Sequence, residues 1–531
     1  ELQARGWRYV PGKQLPREGL EEPLLLPILR DAVKKINGLE DPEPAIASLR
    51  SKPSGAESAK DVLSYFRVGV PLKDEEARSL RYVSLFDHER PQNNDFLVSN
   101  QVDHLGNSSI RNDVILYVNG IPLVSVELKN PANMGVSWRD AYYQIKDYEK
   151  QVPELYKYAQ LGVAVCERAV YFPITPWLAP EDVQTYEWRA EGVDRSDYLS
   201  SIADFLSPST LLSFIRDYVY VRQERGKTTK VVARYMQYRA SEKIVRRAID
   251  HVTGKDERDR GLIWHWQGSG KTLTMIFAAA KLYRSKEMGN PTVFFVVDRS
   301  ELEEQLYGEL SALSGLPGAK RISSIDELKD VLSWDEGRGQ RGLFVVLVQK
   351  FRTGELKELS EALASKQGET VMSRKDVIAF VDEAHRTQYG TLAAQMRSLL
   401  KGASFFAFTG TPLSKEGRDT YELFCPPGEK YLDKYFITDS IDDGFTLKIA
   451  YEPRLPELHL DRELLEAFWR SGVEEVPEEY RGEVEEDVKK RLNHIKVVLE
   501  NPARISRVAR DVAEHFRENV DGRFKAMVVA V

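Results

Sequence analysis

The sequence has 531 residues, 42% hydrophobic and 30% charged, which suffices for roughly three to four domains of ~150 residues. Its net charge of −7 does not fit a small, uniformly basic nucleic-acid binder, although a large chain can still carry a local basic groove. No apolar stretch reaches the ~18 residues of a membrane span, no signal peptide is evident, and only Cys166 and Cys425 are present, so we expect a cytoplasmic protein without a disulfide framework.

The first block of the chain combines helical and strand patterns. Apolar residues over 24–36 recur at helical spacing and predict an amphipathic helix. Two apolar runs flank Asn119-Gly120, a strong turn signal, and predict a β-hairpin over residues 113–129. A second helix is predicted over residues 137–150.

Asp113, Glu127 and Lys129 of this hairpin form the first candidate site. If the loop comprises residues 119–121, Asp113 lies opposite Glu127 and all three side chains share one face of the sheet. A two-residue loop would place Asp113 on the other face. Two carboxylates could bind Mg²⁺, which polarises a phosphate and generates hydroxide, while Lys129 positions or activates the water. A solvated sheet face with a cross-strand salt bridge is the alternative.

The helix over 137–150 adds two further candidates. Gln144 and Tyr148 lie one turn apart, where they could touch a nearby backbone. Tyr148 also continues the apolar stripe of Trp138, Ala141 and Ile145, so a position in the core is the alternative.

The order Asp…Glu-x-Lys…Gln-x-x-x-Tyr over residues 113–148 resembles the PD-(D/E)xK nucleases of the RecB-like branch. The segment 119–123 that precedes Glu-x-Lys is also similar to that of type I restriction enzymes. The resemblance implies a mixed sheet with helices, and it implies that the five residues of this order take part in DNA cleavage.

In the second block, short apolar strands alternate with helices, which is typical of a parallel sheet covered on both faces. Residues 436–522 are polar and helix-prone, and residues 524–531 predict a first strand of a further unit. The strands predicted for the parallel sheet are residues 262–264, 293–297, 343–348, 377–381 and 405–408.

A phosphate-binding loop follows the first of these strands and opens an apolar helix. Its glycines let backbone N–H groups close around phosphate oxygens, Lys271 can reach the β and γ phosphates of ATP, and Thr272 can ligate Mg²⁺. The full pattern has a glycine where this chain has His265, so an ordinary glycine-rich turn is the alternative. The loop residues are Gly268, Ser269, Gly270, Lys271 and Thr272.

An acidic pair, Asp382-Glu383, ends the strand predicted over 377–381. Ligands bind at the carboxyl ends of parallel strands in such sheets. Asp382 can hold Mg²⁺ and Glu383 can orient the attacking water. A solvated acidic turn is the alternative, but it does not explain why this acidic pair occurs together with a phosphate-binding loop in the same sequence. Thr409 and Thr411 follow another strand, where their hydroxyls can sense the γ-phosphate.

These segments in this order resemble the first of the two RecA-like domains of superfamily 2 helicases and translocases, over about residues 230–450. The resemblance implies that Gln237 recognises adenine, with an exposed helix glutamine as the alternative. It also implies that Asp298, Arg299 and residues 348–351 lie near the DNA backbone. Motifs of the second RecA-like domain are missing, so we expect this sequence to hold one wall of an ATP site.

A nuclease domain ahead of a superfamily 2 motor resembles the motor (R) subunit of type I restriction-modification enzymes, whereas type III subunits keep the nuclease after the motor. The resemblance implies ATP-driven translocation along double-stranded DNA, Mg²⁺-dependent cleavage, and assembly with methyltransferase and specificity subunits. S-adenosylmethionine belongs to the modification subunit. Two alternatives remain: a repair or remodelling translocase whose N-terminal domain only binds DNA, and a non-enzymatic assembly module.

The expected architecture is α/β throughout. A PD-(D/E)xK domain is expected over residues 1–215, a connector with the adenine-contacting glutamine over 216–260, and the first RecA-like domain over 261–435. The junction and the start of a second RecA-like domain, cut short, are expected over 436–531.

Overall fold

The computed structural model describes residues 1–74, 79–297, 299–313, 318–347, 353–364, 370–382, 396–397, 399–412, 420–448 and 502–529. They fall into two compact units, Glu1–Thr446 and Leu447–Val531. The α/β class predicted from the sequence is confirmed, since one mixed sheet and one parallel sheet form the first unit. In the described part of the chain, no helix is both long and apolar enough to cross a membrane.

The N-terminal half is built on a mixed sheet of order β1-β4-β5-β6-β7-β8-β9, and two hairpins, β2–β3 and β10–β11, stand beside it. The strands from β4 to β6 are antiparallel, and β6 pairs in parallel with β7. The strands are β1 Arg8–Tyr9, β2 Val70–Asp74, β3 Ser79–Val83, β4 Phe96–Leu105, β5 Ser109–Val118, β6 Ile121–Leu128, β7 Leu161–Val165, β8 Ala169–Pro173, β9 Tyr186–Glu187, β10 Val219–Glu224 and β11 Lys227–Val232.

The second sheet is parallel throughout its described strands, in the order β14-β15-β13-β16-β17-β12-β18. All five predicted strands are confirmed. Two short edge strands, β14 and β18, were not predicted because they are partly polar and lack an apolar run. The strands are β12 Arg260–His265, β13 Thr292–Val297, β14 Ala319–Ile322, β15 Gly342–Leu347, β16 Val377–Asp382, β17 Ser404–Thr409 and β18 Asp433–Tyr435.

The helices predicted near residues 24–36 and 137–150 are both confirmed. The second begins after Ser137, whose hydroxyl accepts from the N–H of Arg139 in a capping box. The α-helices are α1 Leu26–Asn37, α2 Glu43–Arg50, α3 Ala56–Val68, α4 Trp138–Gln151, α5 Pro153–Tyr156, α6 Tyr198–Phe205, α7 Pro208–Asp217, α8 Tyr235–Val252, α9 Lys271–Arg284, α10 Ser300–Ala312, α11 Ile325–Gly337, α12 Thr353–Ala364, α13 Thr420–Phe424, α14 Ile437–Asp442 and α15 Pro502–His515. Short 3₁₀ turns lie at Gln3–Arg5, Gly12–Gln14, Pro91–Asn93 and Pro180–Asp182, and a π-helical turn at Phe516–Val520.

The two faces of the mixed sheet are buried differently. Ile115 and Ala164 pack with Ala141 and Ile145 of α4 on one face. The other face contributes to a larger core, which extends from the mixed sheet to α9 and to the parallel sheet; its members include Val124, Val126, Phe277 and Phe406. The two sheets therefore belong to one compact unit, and α4 covers the face on which the first candidate site lies.

Two sequence-based expectations differ from the structure. β5 begins at Ser109 rather than at Asp113, because residues 109–112, most of them polar, also pair with β4. Residues 524–529 form no strand, although a strand was predicted over 524–531. A strand needs a partner for its N–H and C=O groups, and no described strand pairs with this segment.

Candidate functional sites

The predicted hairpin forms, but its turn differs from the expected one. Val118 pairs with Ile121, so β5 and β6 are joined by the two-residue turn Asn119-Gly120. Both turn residues have positive φ, 51° and 78°, as a type I′ hairpin turn requires. The prediction of a three-residue loop over 119–121 is therefore wrong.

A β-bulge restores the pairing that the first candidate site needs. The register shifts between Leu116 and Tyr117, which leaves Leu123 as the extra residue of β6. Beyond the bulge, the ladder brings Asp113 opposite Glu127, and the N–H of Asp113 donates to Glu127 Oε1 at 3.1 Å. The two carboxylates thus meet as predicted, through a shorter turn followed by a bulge.

The carboxylate of Asp113 is held from two sides. Gln101 Nε2 donates to Oδ1 at 3.0 Å, and the N–H of Leu128 donates to Oδ2 at 3.0 Å. Gln101 belongs to β4, and nothing in the sequence pattern identified it, because its contact with Asp113 arises only when the strands pair.

The side chain of Glu127 is buried beside that of Asp113. Burial first, and then the negative charge of Asp113, raise the pKa of Glu127 to about 8. Among the described residues, Glu127 Oε2 has no hydrogen-bond partner. Two adjacent carboxylates with one unpartnered buried oxygen fit a divalent cation, which relieves their repulsion. No described group of three or more His, Cys, Asp or Glu side chains forms a metal cluster, and Mg²⁺ commonly takes one or two carboxylates, completed by water and phosphate.

Lys129, Gln144 and Tyr148 form a hydrogen-bonded chain beside the carboxylates. Lys129 Nζ donates to Gln144 Oε1, Gln144 Nε2 donates to the Tyr148 hydroxyl at 2.6 Å, and that hydroxyl donates to the carbonyl of Arg111 at 3.2 Å. Tyr148 also packs against the core under α4, so the polar contact and the core position coexist. The structure thus gathers all five sequence-predicted residues at one place.

The second candidate site is the phosphate-binding loop, which leads from β12 into α9. Gly268 and Gly270 both adopt φ of 81°, and Gly270 is the N-cap of α9. Such a left-handed backbone directs successive N–H groups to one side of the loop. Ser269 and Lys271 are buried, whereas Thr272 is half-buried.

Gln237 connects α8 to this loop. Its Nε2 donates to the carbonyls of Ser269 and Gly270, each at 3.2 Å, and its Oε1 accepts from the N–H of Arg234 at 2.9 Å. Gln237 is 2% exposed, so the alternative of an exposed helix glutamine is wrong.

Asp382 lies at the carboxyl end of β16, where it pairs with Phe408 of β17. Thr409, the last residue of β17, pairs with Trp264 of β12, and the indole of Trp264 donates to the carbonyl of Gly410 at 3.1 Å. The carboxyl ends of β12, β17 and β16 thus bring the phosphate-binding loop and Asp382 to one edge of the sheet. Two further predicted residues are described: Arg299 is exposed and is the N-cap of α10, and the N–H of Thr411 donates to the hydroxyl of Thr409 at 3.1 Å. Glu383, Asp298 and 348–351 lie outside the described residues.

His265 occupies the position where the full loop pattern has glycine. It is fully buried, and its Nε2 lies 2.8 Å from Oδ2 of Asp433 in β18. Asp433 also accepts from Arg239 at 2.8 Å and from Lys243 at 2.9 Å, both on α8. Burial lowers the pKa of His265, and the neighbouring Asp433 carboxylate opposes this shift. The sequence did not reveal this network, because its members are far apart in the chain.

Two family models match separate parts of the sequence. The model of the type I restriction enzyme R protein N terminus matches residues 1–181, which hold the carboxylate pair. The model of the SWI2/SNF2 ATPase matches residues 236–482, which hold the phosphate-binding loop and Asp382.

Curated relatives resemble the chain over most of its length. A protein of Methanocaldococcus jannaschii that is named as a type I restriction enzyme endonuclease subunit is 31% identical to this chain. The match covers 100% of this chain and 53% of the length of that protein. The HindI endonuclease subunit of Haemophilus influenzae is 30% identical, over 99% of this chain and 51% of its own. The chain therefore spans about half the length of these relatives.

A solved structure gives a slighter likeness. The Hef helicase domain of Pyrococcus furiosus overlaps 48% of this chain and 53% of its own at 16% identity, with a TM-score of 0.30, and nothing further rests on it. The two family models and the relatives along the whole chain agree with one another. They show that the chain belongs to the family of type I restriction enzyme endonuclease (R) subunits.

Proposed function

We propose that this chain is part of the motor and endonuclease subunit of a type I restriction-modification complex. It uses ATP hydrolysis to translocate double-stranded DNA and cleaves phosphodiester bonds in a Mg²⁺-dependent reaction. The observation that carries the proposal is the pairing of Asp113 with Glu127 next to the Lys129–Gln144–Tyr148 chain, in the same compact unit as a phosphate-binding loop.

In the nuclease site, Asp113 and Glu127 would hold Mg²⁺, which acts as a Lewis acid on the phosphate and lowers the pKa of a bound water. Gln144 accepts a hydrogen bond from Lys129 and so directs its ammonium group, which positions the attacking water. Tyr148 ties Gln144 to the backbone of β5, which fixes α4 over the site.

In the motor, the backbone of the loop at 268–272 would bind the phosphates of ATP. Lys271 would neutralise their charge, and Thr272 and Asp382 would hold the accompanying Mg²⁺. Gln237 recognises adenine while it supports the loop. Glu383 orients the attacking water.

The partners of this function are double-stranded DNA and the methyltransferase and specificity subunits, and S-adenosylmethionine enters only through the modification subunit. The complex would act in the cytoplasm. The predicted division at residues 215, 260 and 435 into nuclease, connector, first motor domain and start of the second belongs to the same proposal.

Asp113→Asn in the full-length subunit, assembled with its partner subunits, tests the nuclease assignment. We expect DNA cleavage to fall at least ~100-fold, because a cation site contributes several kcal/mol of transition-state stabilisation. ATP hydrolysis should persist, since the phosphate-binding loop is untouched. Cleavage is measured on circular DNA that carries the recognition site, and ATPase by phosphate release.

Two variants control this experiment. Asp103→Asn changes a half-buried carboxylate of β4 that pairs with Arg111, and it should leave both activities unchanged. Lys271→Ala should abolish ATP hydrolysis and translocation. Full cleavage by Asp113→Asn would remove the nuclease assignment and favour a translocase whose N-terminal domain only binds DNA. Normal ATPase in Lys271→Ala would refute the motor site.

A further inference from the structure

Gln101 lies opposite Asp113 across the mixed sheet. Asn100 of β4 pairs with Val114 of β5, and Val102 pairs with Asn112. Gln101 lies between the two β4 residues and therefore stands opposite Asp113, which lies between the two β5 residues. On its other side, Asp113 lies opposite Glu127 of β6. Gln101, Asp113 and Glu127 therefore form one row of side chains across three neighbouring strands.

The backbone of Gln101 is in an unfavourable conformation for a glutamine. Its φ is 49°, in the left-handed region that glycine adopts without steric cost and that other residues avoid. The side chain is exposed, so it contributes little packing that would offset this strain. Strained residues of this kind persist only where the surrounding structure holds them, and they cluster at functional sites.

The contact that Gln101 makes indicates the role of its side chain. Its amide donates to Oδ1 of Asp113 while the N–H of Leu128 donates to Oδ2, so the carboxylate plane is fixed from both sides. Both donors are neutral. A lysine or arginine at position 101 would hold the carboxylate equally well but would compete with a cation for its charge.

We infer that Gln101 is a positioning residue of the nuclease site, and that its amide orients the Asp113 carboxylate so that Asp113 and Glu127 bind one divalent cation together. The inference rests on the proposed nuclease function. Groups that orient metal ligands typically change metal affinity or activity by ~10- to 100-fold when they are removed.

Gln101→Gly separates this role from a structural one, because it removes the amide and also relieves the backbone strain. We expect the melting temperature of the full chain to stay the same or rise. Mn²⁺ binding without nucleotide or DNA, measured by calorimetry, should weaken about 10- to 100-fold. Cleavage by the assembled complex should fall by a similar factor, with ATPase and DNA binding unchanged.

Two variants complete the test. Asn100→Ala alters the neighbouring residue of β4, whose exposed amide oxygen accepts from Tyr9, and should change neither Mn²⁺ affinity nor cleavage. Asp113→Asn gives the Mn²⁺ affinity and the cleavage rate that are expected when the cation site is lost. Parental Mn²⁺ affinity and cleavage in Gln101→Gly would overturn the inference, as would a fall in melting temperature that accounts for the loss. If Asp113→Asn itself cleaves normally, the proposed nuclease function has failed rather than the role of Gln101.

Discussion

At the scale of single residues, Gln237 supports the phosphate-binding loop and, under the proposed function, would also recognise adenine. The side chain already supports the phosphate-binding loop through the carbonyls of Ser269 and Gly270. Recognition of adenine requires that the same amide also face the base. A buried carbonyl left without its donor costs about 1–3 kcal/mol, which would correspond to a weakening of nucleotide binding by ~5- to 150-fold if the loop lost its binding conformation.

We therefore expect Gln237→Ala to raise the KM for ATP about tenfold and to abolish the preference for ATP over GTP. Steady-state ATPase and GTPase assays on the assembled complex measure both quantities. Gln223→Ala, an exposed glutamine on β10, is the matched control. Equal losses for ATP and GTP would leave Gln237 as a support of the loop and remove its assignment to adenine.

The site residues differ in how far the sequence reveals them. Asp113, Glu127 and Lys129 are visible because strand alternation places a Glu-x-Lys pair on one face opposite an acid. Gln101 and Asp433 cannot be identified from the sequence, since each makes its contacts with residues of another strand or helix. Their roles depend on register and on tertiary contacts, which no local pattern encodes.

At the scale of elements, the hairpin of β5 and β6 shows how turn chemistry and register combine. Gly120 has a φ of 78°, and a Cβ on it would stand 2.6 Å from the carbonyl oxygen of Leu25. The N–H of Leu25 in turn donates to the carbonyl of Gly120 at 2.9 Å, so the turn holds the start of α1. A side chain at position 120 would therefore have an unfavourable backbone conformation. It would also clash with the backbone of Leu25, which cannot easily move.

Gly120→Ala should destabilise the chain by at least about 2 kcal/mol, of which ~1–2 kcal/mol is the cost of the left-handed conformation. Thermal unfolding of the full chain measures the effect. Gly226→Ala is the matched control, because Gly226 stands in the β10–β11 turn with a φ of 79°, and a Cβ added there would meet no described atom within 4 Å. Equal destabilisation by both changes would show that the contact with Leu25 is unimportant.

Element prediction succeeds where the physical signal is local. The central strands β13, β15 and β16 are continuous apolar runs, because both faces of a parallel sheet are buried. The edge strands β14 and β18 are short and carry charged residues, so their sequences resemble loops. The bulge at Leu123 was not predicted either, since it compensates for a turn length that only the paired strands determine.

At the scale of the whole molecule, Asp443 links the part of the first unit that holds the mixed sheet to the part that holds the parallel sheet. Its carboxylate forms an ion pair with Arg189, which follows β9 of the mixed sheet. It also accepts from the hydroxyls of Tyr235 on α8 at 3.0 Å and of Tyr435 on β18 at 2.9 Å. The side chain of Asp443 is only 5% exposed, so water could not readily replace its carboxylate as the hydrogen-bond acceptor of these donors.

Asp443→Ala should therefore loosen this junction, since removal of one partner from a buried ion pair costs about 3–5 kcal/mol. We expect faster protease cleavage after Arg189 or Arg195, together with retained ATP hydrolysis and fewer DNA cuts per ATP consumed. Asp442→Ala is the control, because Asp442 pairs with Arg195 where both side chains are about half exposed, and such pairs contribute ~0–1 kcal/mol. If the two variants behave alike, the junction is held by the shared apolar core, which includes Phe277, rather than by Asp443.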